Sequence, residues 1–339
     1  MTTSRLRPLD LHAPDPSVLA EAAALLRDGR LVAFPTETVY GLGAHALDAT
    51  AVQRIFAAKG RPAYNPLIVH VPSIAAARAL VTAWPPVAQA LAERFWPGPL
   101  TLVLPRQSTV PDAVTAGRET VAVRLPAHPI ARALLEAAGI PLAAPSANRF
   151  TELSPVTAAQ VARSLGDGVD LILDGGQTTV GIESTVVDCS VTPPVLLRPG
   201  TITRAALETV VGPLADPAPI TAEDAPRAAP GMIARHYAPR ARVRILTTDA
   251  LEAAIAEAAQ RGAGATLGAV TWSAVGRAVS AGMHAHHPLP ADAEGYAAGL
   301  YAALHAVDDA GCAEVFVERP PEDPAWAGVR DRLTRAAHL

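Results

Sequence analysis

Two positively charged side chains stand two residues apart in the run "AAKGRPAYNPL", residues 57–67. Lys59 is the only lysine in the chain, and the other 27 of its 28 basic residues are arginine. A helical pattern of apolar residues stops at Gly60, which places Lys59 at a helix C-terminus and Arg61 in the proline-bounded loop beyond it. If that loop is extended, both cations can point into one cavity and, with Asn65, hold a phosphate group.

A structural role for Lys59 is the alternative, because any cation complements the negative end of a helix dipole. Arginine fills that role equally well. A chain that uses arginine everywhere else therefore indicates, at this one position, a site that needs a compact point charge. Both interpretations stay open, and we favour the chemical one.

Two polar side chains interrupt apolar runs that are typical of buried strands. Arg124 lies in "VAVRLP", and a buried guanidinium without a partner is costly, so it needs an anion from a carboxylate side chain or from a ligand. His70 lies in "LIVHV", where a histidine is more often a satisfied core residue than a ligand contact.

Further polar candidates stand where short apolar runs begin or end: Ser146 and Asn148 in "APSANRF", Ser184 in "GIESTVVD" and Arg198 in "LLRPG". Sheets of α/β proteins bind ligands at strand ends, so these groups predict one binding site. Ser154 is predicted to cap the N-terminus of the next helix, with a proline at the first helical position.

Short β-rich runs alternate with helical stretches along most of the chain. Several links are too short for crossovers, so the pattern predicts an α/β fold with a twisted, mixed open sheet and flanking helices. We expect a first domain over 1–211, a proline- and alanine-rich linker over 212–240, and a small Rossmann-like α/β domain over 241–339.

Composition excludes several classes of protein. A formal net charge of −4 argues against long-range attraction to nucleic acid. Cys189 and Cys312 form no CxxC pair and are expected to be inert thiols. No signal peptide and no membrane span are apparent, so we expect a cytoplasmic protein.

Two other motifs are weak signals. "GLGAHA" fits the dinucleotide fingerprint poorly, because the acidic residue that should follow a second strand is missing. The histidines of "MHAHHPL", His284, His286 and His287, have no carboxylate or cysteine at ligand spacing. We interpret that segment as a solvated loop and predict no protein metal site.

Taken together, these runs resemble the YrdC-like threonylcarbamoyl-AMP synthase family in its long, two-domain form. The matching stretches are "PTETVYGLG", "KGRPAYNPL", "WPGPLT", "VAVRLPAHP", "PLAAPSAN", "GIESTVVD", "LRPG" and "APGMIARHYAP". The match covers nearly the whole chain.

The resemblance implies condensation of L-threonine, bicarbonate and ATP to threonylcarbamoyl-AMP, with release of pyrophosphate. It also implies Mg²⁺ held mainly by the ATP phosphates, a linker that crosses the active site, and a separate transferase that moves the threonylcarbamoyl group to a tRNA adenosine beside the anticodon.

The resemblance further assigns roles to individual residues. It implies catalytic roles for Lys59, Arg61, Ser146 and Asn148. It implies an L-threonine subsite made of Thr36, His70, Arg124, Ala144 and Ser184. It implies an ATP subsite made of Arg61, Asn65, Thr120, Ser146, Ser154, Arg198 and Tyr237.

Two rival functions remain as hypotheses. One is a binding module for double-stranded RNA or tRNA, which the acidic total disfavours, although weak RNA binding stays open. The other is the carbamoyl-transfer role of such domains in hydrogenase-maturation proteins, whose additional zinc-finger and acylphosphatase-like modules are not apparent here.

Overall fold

The computed structural model describes residues 5–218, 236–260 and 267–337. These residues divide into two compact units. The first contains 5–150, 155–179 and 183–218, and the second contains 151–154, 180–182, 236–260 and 267–337. Most of the predicted linker lies outside the described residues.

A ten-stranded sheet forms the framework of the first unit, in the order β1-β8-β2-β3-β7-β4-β6-β5-β9-β10. The strands are β1 (Leu6–Pro8), β2 (Val32–Pro35), β3 (Tyr40–His45), β4 (Ile68–His70), β5 (Leu100–Pro105), β6 (Thr120–Arg124), β7 (Leu142–Ala143), β8 (Leu171–Asp174), β9 (Thr185–Asp188) and β10 (Val195–Arg198). The sheet contains both parallel pairs, such as β4 with β6, and antiparallel pairs, such as β5 with β6, which confirms the predicted mixed sheet.

Eight helices of the first unit flank this sheet among the described residues. They are α1 (Pro16–Arg27), α2 (Ala49–Lys59), α3 (Ile74–Arg78), α4 (Pro86–Phe95), α5 (Asp112–Thr115), α6 (Pro129–Ala138), α7 (Ala158–Leu165) and α8 (Arg204–Val211). The predicted end of α2 is confirmed, because Gly60 at φ +62° ends the helix directly after Lys59, and Asp48 caps its first turn.

Apolar side chains cover the sheet from two sides. One core cluster joins α2, α4, α7 and α8 to inward-facing strand residues such as Val69 and Val123. A second cluster joins α1 and α6 to β2 and β8, for example through Leu26, Leu134 and Phe34. The second cluster does not extend over the part of its sheet face that β4, β5, β6 and β9 form.

The second unit contains a parallel sheet in the order β11-β14-β12-β13. Its strands are β11 (Arg242–Leu246), β12 (Leu267–Thr271), β13 (Ala285–Pro288) and β14 (Glu314–Glu318), and its helices are α9 (Thr248–Gln260), α10 (Ala274–Ser280), α11 (Ala293–Asp309) and α12 (Ala327–Ala337). A four-stranded parallel sheet with intervening helices confirms the predicted Rossmann-like class.

Two sequence interpretations are wrong. Ser154 does not cap a helix: α7 begins later, because Thr157 and Gln160 form a capping box in which each side chain bonds the other residue's backbone. The segment of His286 and His287 is not a loop but strand β13, which pairs in register with β12 and whose His286 Nε2 lies 2.9 Å from Thr271 Oγ1.

The glycines of "GLGAHA" serve packing. They lie inside β3, where a side chain on Gly43 would approach the ring of Phe34 to 2.8 Å.

Among the described residues, no helix has the length and the apolar composition that a membrane span needs. Both cysteines are buried and unpaired with each other, and burial raises the pKa of the Cys189 thiol to about 12.

Candidate active site

Two-residue alternation sorts the side chains of the first sheet between its two faces. On β6, Val121 and Val123 belong to the large core cluster, so Ala122 and Arg124 point to the opposite face. Strand register places His70 of β4 directly beside Arg124 and on the same face. We call this the site face; by the same alternation it carries His70, Thr101, Thr120, Arg124 and Ser184.

The guanidinium of Arg124 is the centre of a buried polar cluster. It donates from Nη2 to Glu37 Oε1 at 2.7 Å, from Nη1 to Thr38 Oγ1 at 3.0 Å, and from Nε to the Gly98 carbonyl at 3.3 Å. The second oxygen of Glu37 accepts from the backbone of Ala127 at 3.1 Å. The anion that Arg124 required is therefore present within the chain.

A directed chain of hydroxyl groups continues from Arg124. Thr36 Oγ1 donates its single proton to the Val39 carbonyl at 2.6 Å, so in the 2.8 Å contact between the two threonines Thr38 is the donor. Thr38 in turn accepts from Arg124. Each donor thus has one acceptor, which fixes the orientation of both side chains in the turn between β2 and β3.

His70 is almost fully buried, and its Nδ1 has no hydrogen-bond partner among the residues that the structure describes. Burial, reinforced by the positive charge of Arg124, lowers the pKa of His70 to about 3. The ring is therefore neutral at physiological pH. A neutral imidazole with an uncommitted nitrogen can donate to or accept from a polar ligand.

Ser184 and Arg198 form a second cluster near the start of β9. Ser184 Oγ lies 2.8 Å from Thr101 Oγ1, and Arg198 donates to the Ser184 carbonyl at 3.1 and 3.0 Å and to its Oγ at 3.2 Å. The guanidinium holds the serine hydroxyl in place on the site face. Both residues are buried.

Lys59 connects the C-terminus of α2 to the loop that follows β7. Its ammonium donates to the Ser146 carbonyl at 2.5 Å and to the Asn148 carbonyl, and its own carbonyl accepts from the backbone of Phe150 at 2.8 Å. Two converging carbonyls suit a compact ammonium with tetrahedral donors better than a planar guanidinium. The side chain is only 3% exposed.

Arg61 and Asn65 lie together in the loop that leads into β4. Arg61 donates from Nε to the Asn65 carbonyl at 3.2 Å and from Nη2 to the Pro66 carbonyl at 2.9 Å. Asn65 is fully buried, yet neither atom of its side-chain amide has a partner within the described residues. A buried amide without partners is costly, which indicates a group kept for a ligand.

The remaining predicted site residues divide by unit. Ala144 lies on the site face beside Gly41, and Thr120 begins β6 at the end opposite Arg124. Ser154 and Tyr237 belong to the second unit, where Tyr237 packs against Tyr301 and lies under the Arg332 guanidinium at 5.3 Å. Their roles in nucleotide binding stay predictions.

Sequence reasoning missed two residues that contact Arg124 directly, Glu37 and Thr38. Both stand in the quoted run "PTETVYGLG", and the requirement of Arg124 for an anion was the available signal. Nothing in the sequence connects that run to β6, because residues 37 and 124 meet only when β2 and β6 enter the same sheet.

Two family models cover most of the chain. One, described as telomere recombination and comprising Sua5, YciO and YrdC proteins, matches residues 24–200; the other, described as threonylcarbamoyl-AMP synthase, C-terminal domain, matches residues 202–338. The chain belongs to the threonylcarbamoyl-AMP synthase family. The resemblance found in the sequence motifs is thereby confirmed.

Individual relatives agree with the family models. A threonylcarbamoyl-AMP synthase of Bacillus subtilis is 42% identical over 97% of this chain and 95% of its own length. One of Pyrococcus abyssi is 52% identical over 66% of each chain. The crystal structure of P. abyssi Sua5 complexed with L-threonine superposes with a TM-score of 0.89 at 40% identity, covering 98% of this chain and 97% of that one.

The depressed pKa of His70 gives a testable pH dependence. Its neutral form stabilises the fold fully above the unfolded value near 6.5, and that stability is lost as the pH falls toward 3, by about 2 kcal/mol at pH 5. In NMR spectra of histidine-labelled protein, we expect the His70 ring signal, assigned by its absence in His70→Gln, to stay constant from pH 8 to about 4.5.

The exposed His12, replaced in His12→Gln, provides the matched control for that assignment. A His70 signal that titrates with a midpoint near pH 6.5 would show that the ring is accessible to solvent and not held neutral by burial.

Proposed function

We propose that this chain condenses L-threonine, bicarbonate and ATP to threonylcarbamoyl-AMP, releasing pyrophosphate and supplying the group that modifies a tRNA adenosine next to the anticodon. Membership of the family supports the activity. The observation that carries it in the structure is four buried cations, Lys59, Arg61, Arg124 and Arg198, each at most 7% exposed, in one unit of an acidic protein.

The site face supports an amino-acid subsite. Arg124 keeps N–H donors that can bind a carboxylate, and His70, Thr36 and Ser184 add neutral groups that can bind a hydroxyl or an amine. Ala144 contributes backbone and a small side chain, which packs closely against Gly41. We assign L-threonine to this set of residues.

The chemistry requires two anions to meet. The carbamate formed on the threonine amine must attack the α-phosphate of ATP, and at about 4 Å and an effective dielectric of about 20 that repulsion costs roughly 4 kcal/mol. Lys59 and Arg61 would offset a comparable amount, with Ser146 and Asn148 placed by the bonds of Lys59 to their carbonyls. Catalysis then consists of positioning and electrostatic stabilisation.

Asn65, Thr120, Arg198, Ser154 and Tyr237 complete the proposed ATP subsite. Asn65 supports it most directly, because its buried amide offers one donor group and one acceptor. The predicted crossing of the active site by the 212–240 segment falls mostly on residues outside the described ranges.

Magnesium also belongs to the proposal. It would bind mainly to the ATP phosphates, where it would help to neutralise their charge. The described residues contain no group of three or more His, Cys, Asp or Glu that could hold a metal ion. A downstream transferase would take the threonylcarbamoyl group, and a cytoplasmic location fits that step.

Mass spectrometry tests the proposed activity directly. Mixing the protein with ATP, Mg²⁺, L-threonine and bicarbonate should yield the threonylcarbamoyl adenylate and one pyrophosphate for each adenylate formed. Reactions with serine in place of threonine, or without bicarbonate, are the controls. Pyrophosphate release that does not depend on threonine would refute the proposal.

Asn65 allows nucleotide binding to be separated from stability. Asn65→Leu removes a buried amide without described partners, so the free energy of unfolding without ligands should stay equal or rise by about 1 kcal/mol. The KM for ATP should rise about tenfold, because the lost hydrogen bonds are made only to the nucleotide. Gln53→Leu, at an exposed amide on α2, is the control; lower stability with an unchanged KM would assign Asn65 to the framework.

Lys59 is the most specific test of the proposed chemistry. Lys59→Ala should lower threonine-dependent pyrophosphate release by about 100-fold, because a charge beside the reacting groups is lost. Lys59→Arg should lower it about tenfold, since a planar guanidinium does not fit the two carbonyls that the ammonium contacts. Arg54→Ala, on the exposed side of the same helix, is the control, and normal rates in both Lys59 variants would remove this residue from the mechanism.

A further inference from the structure

Glu37, which forms a buried ion pair with Arg124, has no role in the proposed reaction. Both side chains are buried, at 9% and 4% exposed, and the pair is closed by a 2.7 Å hydrogen bond. Replacing such a pair by apolar groups is often neutral or stabilising, so stability alone gives little reason to keep it. Its position beside the amino-acid subsite suggests a reason in recognition.

The side chain of Arg124 is fixed in position by hydrogen bonds that engage only part of its N–H donors. A guanidinium has five N–H donors, and here one from each nitrogen is committed, to Gly98, Thr38 and Glu37. Within the described part of the chain, one donor on each terminal nitrogen is therefore uncommitted and can bind a carboxylate oxygen. Glu37 likewise keeps acceptor capacity, since its two oxygens make one described contact each.

The charges of the cluster around Arg124 sum to zero, whereas the next buried cation, Arg198, contacts Ser184 and is assigned to the proposed ATP subsite. Arg124 contributes one positive charge, Glu37 contributes one negative charge, and His70 is kept neutral by burial next to Arg124. His128, which follows the Ala127 amide that Glu37 accepts from, also has its pKa lowered by burial, against the opposing attraction of Glu37. A ligand that brings a net charge would leave that charge unbalanced in a buried site.

We infer that Glu37 is a specificity-determining residue that makes the amino-acid subsite select a net-neutral zwitterion. The carboxylate of the substrate takes the free donors of Arg124, and its ammonium balances Glu37. A carboxylic acid without an ammonium would bind a guanidinium whose charge Glu37 already neutralises. The subsite would then hold two carboxylates and one cation, so one negative charge would stay unbalanced. An amine without a carboxylate would meet a Glu37 carboxylate that Arg124 already neutralises, so its own positive charge would stay unbalanced.

This inference rests on the proposed function, and binding measurements separate the two. Titration calorimetry on the full-length protein can compare three ligands of similar size that differ in charge: L-threonine, 3-hydroxybutyrate with net charge −1, and threoninol with net charge +1. For the wild-type protein we expect threonine to bind at least about tenfold more tightly than either analogue. Equal affinity for 3-hydroxybutyrate and threonine would overturn the inference without any variant.

A charge change at one position provides the second test. In Glu37→Gln the subsite carries an unbalanced positive charge, so the affinity ratio of threonine to 3-hydroxybutyrate should fall at least about tenfold, while threoninol binding weakens further. A role in stability alone would lower all three affinities together and leave the ratio unchanged. Glu21→Gln removes one charge from the exposed pair between Glu21 and Arg7 and should change no ratio.

The outcomes distinguish the inference from the activity. If wild-type protein binds threonine and makes the adenylate, but Glu37→Gln keeps the wild-type ligand ratio, the inference fails and the activity stands. If wild-type protein binds no threonine, both fail. If Glu37→Gln does not fold, the comparison of the three ligands on the wild-type protein decides alone.

Discussion

Burial of positive charge is the constraint on which the rest of the first unit depends. Four cations lie in the interior of its described part, and a buried ion is tolerated only when polar partners replace its water. The fold supplies these partners mainly as backbone carbonyls at the ends of short strands, such as those of Ser146, Pro66 and Ser184. The short strands and irregular loops of this unit thus solvate the charges that the proposed reaction needs.

Strand alternation explains how one sheet carries both a core and a site. Each of β4, β5 and β6 places every second residue in the large apolar cluster and the residues between them on the site face. The apolar side fixes strand register, because a slip of one residue would exchange the two faces. Register in turn places His70 beside Arg124, so core packing determines the geometry of the proposed amino-acid subsite.

The charge arrangement around Arg124, in the proposed amino-acid subsite, differs from that of an unpaired cation. The sequence leaves two sources for the anion that a buried arginine needs, a carboxylate side chain or a ligand. The structure shows a guanidinium that is already paired, oriented by a carboxylate, a hydroxyl and a carbonyl, with part of its donor capacity kept. Preorganisation of this kind lowers the entropy lost on binding.

The sequence by itself determined the family, the mixed sheet, the ends of α2 and the identity of most candidate groups, because caps, turns and short motifs act over a few residues. It assigned the wrong cap to α7 and missed β13, where a capping box and pairing with β12 outweigh weaker local signals. Only the tertiary structure decided that Glu37 pairs with Arg124, that Lys59 binds the carbonyls of a loop 87 residues away, and that Asn65 is buried without described partners. Those contacts join segments far apart in the chain, and a local pattern contains no information about which of them the folded sheet brings together.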